Sequence, residues 1–111
     1  MDCIFCKIAA GEIPSSKVYE DELVYAFNDI EPQAPVHILI IPKTHIKSMA
    51  EINESNSAVV AHIFEVAAKI AAEKGIDSYR VVSNCGESAG QTVMHLHFHL
   101  IAGRELGHFA G

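Results

Sequence analysis

Positive charge is scarce in this chain. Its 111 residues carry 8 Lys and Arg against 14 Asp and Glu, a formal balance of −6. A broad electrostatic grip on DNA, RNA or an anionic membrane needs clustered basic side chains, so no nucleic-acid or membrane partner is expected. A small phosphate ligand is still allowed, because backbone N–H groups and a few histidines can hold one locally. Long apolar runs are also missing, and none approaches the ~20 residues that span a bilayer. Met1-Asp2-Cys3-Ile4-Phe5-Cys6 has no basic segment followed by an apolar stretch, so no secretory signal is expected. Three cysteines, an odd number, do not make a disulfide framework. The expected setting is a reducing cytoplasm. There are no internal repeats, low-complexity tracts or linkers.

What is present suits one domain over residues 1–111. Half of the residues are hydrophobic and a fifth charged, which separates the chain from disordered compositions. Residues 3–10 read as a short helix ending at Gly11. Lys17–Glu20 and Leu23–Phe27 read as a hairpin joined at Asp21-Glu22. A loop with two prolines, 28–35, leads into Val36–Ile41, a continuous aliphatic run stopped by Pro42 and therefore a central strand. From Ser55 or Ser57 to Lys74 the period becomes helical. Val59, Val60, Ile63, Val66, Ala67, Ile70 and Ala71 form one stripe, with Glu65, Lys69 and Glu73 opposite and Gly75 at the C′ position. A fourth strand is expected at Arg80–Ser83, a glycine-containing loop at Asn84–Gln91 and a fifth strand at Val93–Ala102. The class is α+β.

His95-Leu96-His97-Phe98-His99-Leu100-Ile101 is the most informative segment. Strand side chains alternate between faces, so three imidazoles would share one face while Leu96, Phe98 and Leu100 meet the helix stripe. Hydrophobic patterning does not explain such a row. Two chemistries fit it. Alternating imidazoles can bind a catalytic zinc with an open position for water. Alternatively, one imidazole is a nucleophile and its neighbours orient it or hold an oxyanion. The loop just upstream, Asn84-Cys85-Gly86-Glu87-Ser88-Ala89-Gly90-Gln91-Thr92, favours the second, because its glycines allow a backbone nest for phosphate oxygens.

Gly90-Gln91-Thr92-Val93-Met94-His95-Leu96-His97-Phe98-His99-Leu100-Ile101 resembles the signature of the histidine triad family. Ile4-Phe5-Cys6-Lys7-Ile8, Glu12-Ile13-Pro14, Phe27-Asn28-Asp29-Ile30, Pro32-Gln33-Ala34-Pro35-Val36-His37 and Ile41-Pro42-Lys43-Thr44-His45-Ile46 are similar to its Hint branch. The resemblance implies a five-stranded antiparallel sheet with one long and one short helix, paired as a homodimer. It implies that His97 attacks the α-phosphorus of a nucleotide and carries it as a phosphoramidate until water releases it. His99 and the Gly90, Gln91, Thr92 and Val93 segment would hold the non-bridging oxygens, and Thr92 stands where that branch usually has serine. Asn84 would lie near the leaving group. His37, with His95, would belong to the network around the nucleophile, and Asp29 would hold the ribose. Ile4, Phe5, Ile8 and Ile13, with Phe27, Ile30 and Leu39, would line the base pocket, with Asn28 at its edge.

The Cys3-Xaa-Xaa-Cys6 spacing suits zinc or a redox pair. A redox pair normally sits at the strand-to-helix junction of a βαβ unit, whereas this pair precedes the first expected strand. Zinc-carrying relatives resemble the chain at Cys3, Cys6, His45 and His95, which implies a structural zinc. Strict alternation puts His95 beside His97, so a local twist must turn it toward the cysteines. Cys85, His62 and His108 are given no role, and His62 is expected to be solvated.

The expected activity is hydrolysis of purine nucleoside phosphoramidates or adenylylated amines. A dinucleoside polyphosphate hydrolase or nucleotidyl transferase would share the chemistry at His97. A non-enzymatic nucleotide-binding interaction module would not need that nucleophile.

Overall fold

The computed structural model describes residues 3–108. Met1, Asp2 and residues 109–111, which belong to the expected single domain and its tail, lie outside the described residues. The elements are α1 (Ile4–Ala9), β1 (Lys17–Glu20), β2 (Val24–Asn28), β3 (Val36–Pro42), α2 (Ser57–Glu73), β4 (Tyr79–Val82) and β5 (Phe98–Ala102). Single 3-10 turns occur at Met49–Glu51 and Glu87–Ala89. The strands form one antiparallel sheet in the order β1-β2-β3-β5-β4, with β3 at its centre. The architecture is the α+β class with one long and one short helix that the sequence implied.

Local chemistry sets the element ends. In the β1–β2 turn, the Asp21 carboxylate accepts the N–H groups of Leu23 (2.8 Å) and Val24 (3.0 Å). At the end of α2, Gly75 adopts φ +69°. The Ile76 N–H then reaches the Ala71 carbonyl and the Gly75 N–H reaches that of Ala72. This pairing satisfies carbonyls that the last helical turn leaves open.

The sheet is buried on both faces, which explains why β3 reads as an unbroken aliphatic run. Ile38 and Ile40 face α2, where they pack with Val24, Ala26, Phe98 and Leu100 against Ile63, Val66, Ala67 and Ile70. Leu39 and Ile41 face the other way and join Tyr25 and Phe27 against Phe5 and Ile8 of α1. The expected stripe holds over about the last three turns of α2, from Ile63 on, while Val59 and Val60 are only half-buried.

Two expectations need correction. The fifth strand begins at Phe98, not Val93. Its ladder runs from Val36↔Ala102 to Ile40↔Phe98; continued, the same register would set Ile41 against His97 and Pro42 against Leu96. Proline has no N–H to donate, so pairing stops there. The segment before β5 is held by other means: the Leu96 N–H donates to the Ile46 carbonyl and the Ser83 hydroxyl to the His97 carbonyl. Nor is His62 simply solvated. Its Nε2 lies 2.6 Å from Asp21 Oδ2 and its Nδ1 3.3 Å from Glu65, which ties α2 to the hairpin turn.

Candidate active site

Because the strand starts late, the three histidines do not share one face. His99 lies in the ladder opposite Leu39. His97 and His95 precede the ladder, and their rings diverge. His97 and His99 both line a cavity of about 380 Å³ between α1 and the sheet. His95 is fully buried and is turned toward Cys3, Cys6 and His45.

Hydrogen-bond partners fix the imidazole tautomers. The Gln33 N–H donates to His37 Nδ1 at 3.0 Å, so His37 carries its own proton on Nε2. That Nε2–H is 2.8 Å from His99 Nδ1 and 3.4 Å from Asp29 Oδ2. His99 accepts on Nδ1 and therefore keeps its proton on Nε2. His97 Nδ1 is 2.7 Å from the carbonyl of His95, which can only accept. The His97 proton consequently sits on Nδ1, and Nε2 keeps its lone pair. The arrangement is a neutral imidazole with one nitrogen pinned to the backbone and the other available as a base or nucleophile.

Burial favours the neutral form of His97 and of His99. It pulls His97 below the ordinary imidazole range, against the opposing effects of the His95 carbonyl and Asp29. It pulls His99 down to about 4, helped by the neighbouring His97 and His37. The Phe5 ring meets His97 edge to face, with centroids 5.0 Å apart, and Phe27 packs on the other side of Phe5 at 5.6 Å.

The cavity has two characters. One part is aliphatic and aromatic: Ile4, Phe5 and Ile8 from α1, Ile13 from the following loop, Phe27 and Leu39 from the sheet. The other is polar: Asn28 and Asp29 at the end of β2, Thr92 and Val93 from the glycine loop, and the two imidazoles. Every residue expected around the base and ribose therefore lines one space. Ile30 forms its rim and is 94% exposed. Pro14, Ser15, Ser16 and Glu31 also line it and were not anticipated. No sequence pattern marks Ser16, whose hydroxyl accepts from the Asn28 amide 12 residues away at 2.9 Å.

The rest of the glycine loop departs from the expectation that Asn84, Gly90 and Gln91 would meet the ligand. The Gln91 side chain is buried and turned away. Its carbonyl oxygen accepts the Gly86 N–H, and its amide donates to the carbonyls of Lys47 and Val93. Gln91 thus staples the loop. Gly90, at φ +99°, passes Asn84 so closely that an added Cβ would touch the amide at 3.5 Å. Neither Asn84 nor Gly90 lines the cavity. Exposed Cys85 is not isolated, as its Sγ is 3.5 Å from the Ser48 hydroxyl.

A second cluster adjoins the first through α1. The ligand atoms of Cys3, Cys6, His45 and His95 all lie within 4.8 Å of one another. Cys3 Sγ and Cys6 Sγ are 3.3 and 3.5 Å from His95 Nδ1, and the two histidine Nδ1 atoms are 3.2 Å apart. Zinc bonds of about 2.3 Å to sulfur and 2.0–2.1 Å to nitrogen make a tetrahedron with edges of roughly 3.3–3.8 Å. His95 is pre-set for this role, because its Nε2–H donates to the Pro42 carbonyl at 2.8 Å and leaves Nδ1 deprotonated. The donor set fits zinc.

Comparison with known proteins agrees with this geometry. Residues 2–110 match a family model described as "Scavenger mRNA decapping enzyme C-term binding". A purine nucleoside phosphoramidase of Escherichia coli is 47% identical, over 96% of this chain and 91% of that protein. Among solved structures, a histidine triad protein from Clostridium difficile superposes with a TM-score of 0.95 at 55% identity, covering 98% of this chain and 96% of that one. A family hydrolase from Legionella pneumophila gives 0.96 at 46% identity, over 99% and 100%. Matched along nearly its whole length and carrying its three histidines around the cavity and the thiol cluster, the chain belongs to the histidine triad family.

Proposed function

We propose that this chain hydrolyses purine nucleoside 5′-phosphoramidates or adenylylated amines through a covalent nucleotidyl-His97 intermediate. The observation that carries the reading is the pinned tautomer of His97: Nδ1–H bound to its own backbone, and Nε2 facing a cavity with an apolar and a polar half. In the first step Nε2 attacks phosphorus, the P–N bond breaks, and the amine leaves with its electron pair and takes up a proton. In the second, water attacks the same phosphorus, the P–Nε2 bond breaks, and the nucleoside monophosphate departs with His97 neutral again. His99 Nε2–H and the N–H groups of Thr92 and Val93 stabilise the oxygens where negative charge concentrates, whereas the Gln91 N–H expected beside them is already given to the Gly86 carbonyl at 3.1 Å. Asn84 and Gly90 shape that loop from behind, and His37 orients His99. Asp29 takes the ribose hydroxyls, and the aliphatic half takes the base.

Zinc, held by Cys3, Cys6, His45 and His95, would be structural. It would supply cross-linking between α1 and the segment before β5, and no step of the reaction passes through it. The protein would work as a cytoplasmic homodimer of single domains spanning 1–111.

The test is turnover of adenosine 5′-phosphoramidate by the parent and by His97→Ala, with intact-mass detection of adenylylated protein. AMP release by the parent alone, with an adduct on His97, is the expected result. A parent that binds AMP without turnover would overturn the reading in favour of a binding module.

A further inference from the structure

The catalytic reading leaves one chain of contacts unused, and it begins outside the cavity. Directly after β5, Gly103 adopts φ +98°, and a Cβ there would lie 2.9 Å from Pro35 Cβ. The backbone therefore passes against the 33–36 loop as only glycine allows. The next residue, Arg104, donates from its guanidinium to the Gln33 carbonyl at 2.9 Å, across 71 residues of sequence. Gln33 is the residue whose N–H fixes the His37 tautomer. His37 in turn donates to His99, and His99 borders His97 with ring centroids 5.1 Å apart.

We infer that Gly103 and Arg104 form a brace that positions the triad from outside, by holding Gln33 where its N–H keeps His37 Nδ1 an acceptor. This inference rests on the proposed hydrolysis only for its kinetic consequence. The physical argument is one of alternatives. A neutral imidazole has two tautomers; the Gln33 N–H at Nδ1 selects between them here, with the Asp29 carboxylate at 3.4 Å from Nε2 as a weaker aid. With Gln33 displaced, the His37 proton can move to Nδ1, and Nε2 then has no proton to give His99 Nδ1. His99 loses its defined tautomer and so its Nε2–H, the donor needed as charge develops on phosphate oxygen. Asp29 does not substitute for the brace. Its carboxylate lies on the Nε2 side of His37 and also accepts the Glu31 N–H, so it does not position Gln33. Arg104 and Gly103 are thus positioning residues, acting through Gln33.

A control lies on the same tail. Arg80 donates to the Gly107 carbonyl at 2.7 Å, an arginine–carbonyl bond of the same kind that holds the tail at Gly107 and does not run to Gln33.

The experiment compares the parent with Arg104→Ala, Gly103→Ala, Arg104→Lys and Arg80→Ala. Long-range 1H–15N spectra assign each imidazole tautomer, and kinetics follow adenosine 5′-phosphoramidate. The parent is expected to show His37 and His99 protonated on Nε2. Arg104→Ala and Gly103→Ala should mix the His37 tautomers and lower kcat about tenfold with KM unchanged, as for a misoriented catalytic group. Arg104→Lys should restore part of the loss, and Arg80→Ala should match the parent. Unchanged tautomers in Arg104→Ala, a tautomer change without loss of kcat, or an equal loss in Arg80→Ala would each overturn the brace. A parent without turnover would count against the proposed function instead, and the spectra would still decide whether the brace sets the tautomer.

Discussion

The two faces of the sheet are built on opposite rules. Toward α2, every inward side chain is apolar and the space is filled: Ile38, Ile40, Leu100 and Ile63 are completely buried. Toward α1, the same strands present His37, His97 and His99, and the packing leaves a cavity. One face stabilises the protein through burial alone. The other gives up burial for imidazoles whose polar atoms must each be matched, and every buried side-chain nitrogen and oxygen among the described residues has a partner. A face that holds ligand needs this expensive polar scaffold, and the opposite face supplies the stability that makes it affordable.

Substitutions on the two faces should therefore separate activity from stability. The largest effect belongs to the cavity: His99→Ala is expected to lower kcat by about a hundredfold or more while moving thermal stability little, measured by turnover and calorimetry together. Next is Ile63→Ala in α2, which should cost about 2–5 kcal/mol in denaturant unfolding and leave kcat of the folded fraction unchanged. Equal losses of activity in both variants would break the comparison. Removal of a bound metal comes third. Cys6→Ser, or exhaustive chelation of protein isolated with zinc, should lower Tm by roughly 5 °C or more, and turnover should fade only as α1 loosens.

The smallest effect sharpens the contrast, because histidines of the two regions respond to acid with opposite sign. Hydrogen bonding to Asp21, and more weakly to Glu65, raises His62 despite some desolvation. Its folded pKa exceeds the unfolded value of about 6.5, so its contribution is full below that value and is lost as pH rises through the folded pKa. Burial works upward on Asp21, but His62, the two backbone N–H groups and Tyr19 outweigh it and hold the carboxyl far below its usual range. His99 is the reverse case, depressed to about 4 by burial first. The stability tied to its neutral form is present above about 6.5 and is lost as pH falls toward 4. Between pH 6 and 8.5, His62→Gln should remove a stability change of about 0.5–1 kcal/mol from the partly solvated pair. Between pH 6.5 and 4, His99→Gln should flatten the acid loss. Unfolding curves at the four pH values check both signs.

How far the sequence could be read differs between the same two faces. The α2 side followed from period alone: the stripe from Ile63 to Ala71 packs on Leu96, Phe98 and Leu100, as alternation and a 3.6 period require. On the α1 side, alternation misplaced His95. A strand's two-residue rule holds only where a partner strand enforces it, and the ladder with β3 ends at Phe98, with Pro42 opposite Leu96 in the continued register, so His95 lies beyond it. The mate of the misplaced ring was still legible, since the cysteines and His45 gave it a destination. Gln91 was legible as part of the loop but not in its job, because a side-chain amide that staples carbonyls 44 residues away leaves no local pattern. His62 was missed for a related reason: its partner Asp21 is far off in sequence, and a helix wheel shows only that the position is off the apolar stripe. Arg104 had no cue at all.

The strand order carries one more consequence, for synthesis. β5 pairs on both edges, with β3 and with β4, so the final strand of the described chain lies inside the sheet rather than at its rim. Cys3 likewise meets a residue 92 positions downstream. The sheet therefore closes only once residues 98–102 have left the ribosome, and until then β3 and β4 each expose an open edge. Contacts of such long sequence separation slow folding. During that interval the nascent chain would rely on brevity, or on a chaperone, to keep those edges from pairing with another copy.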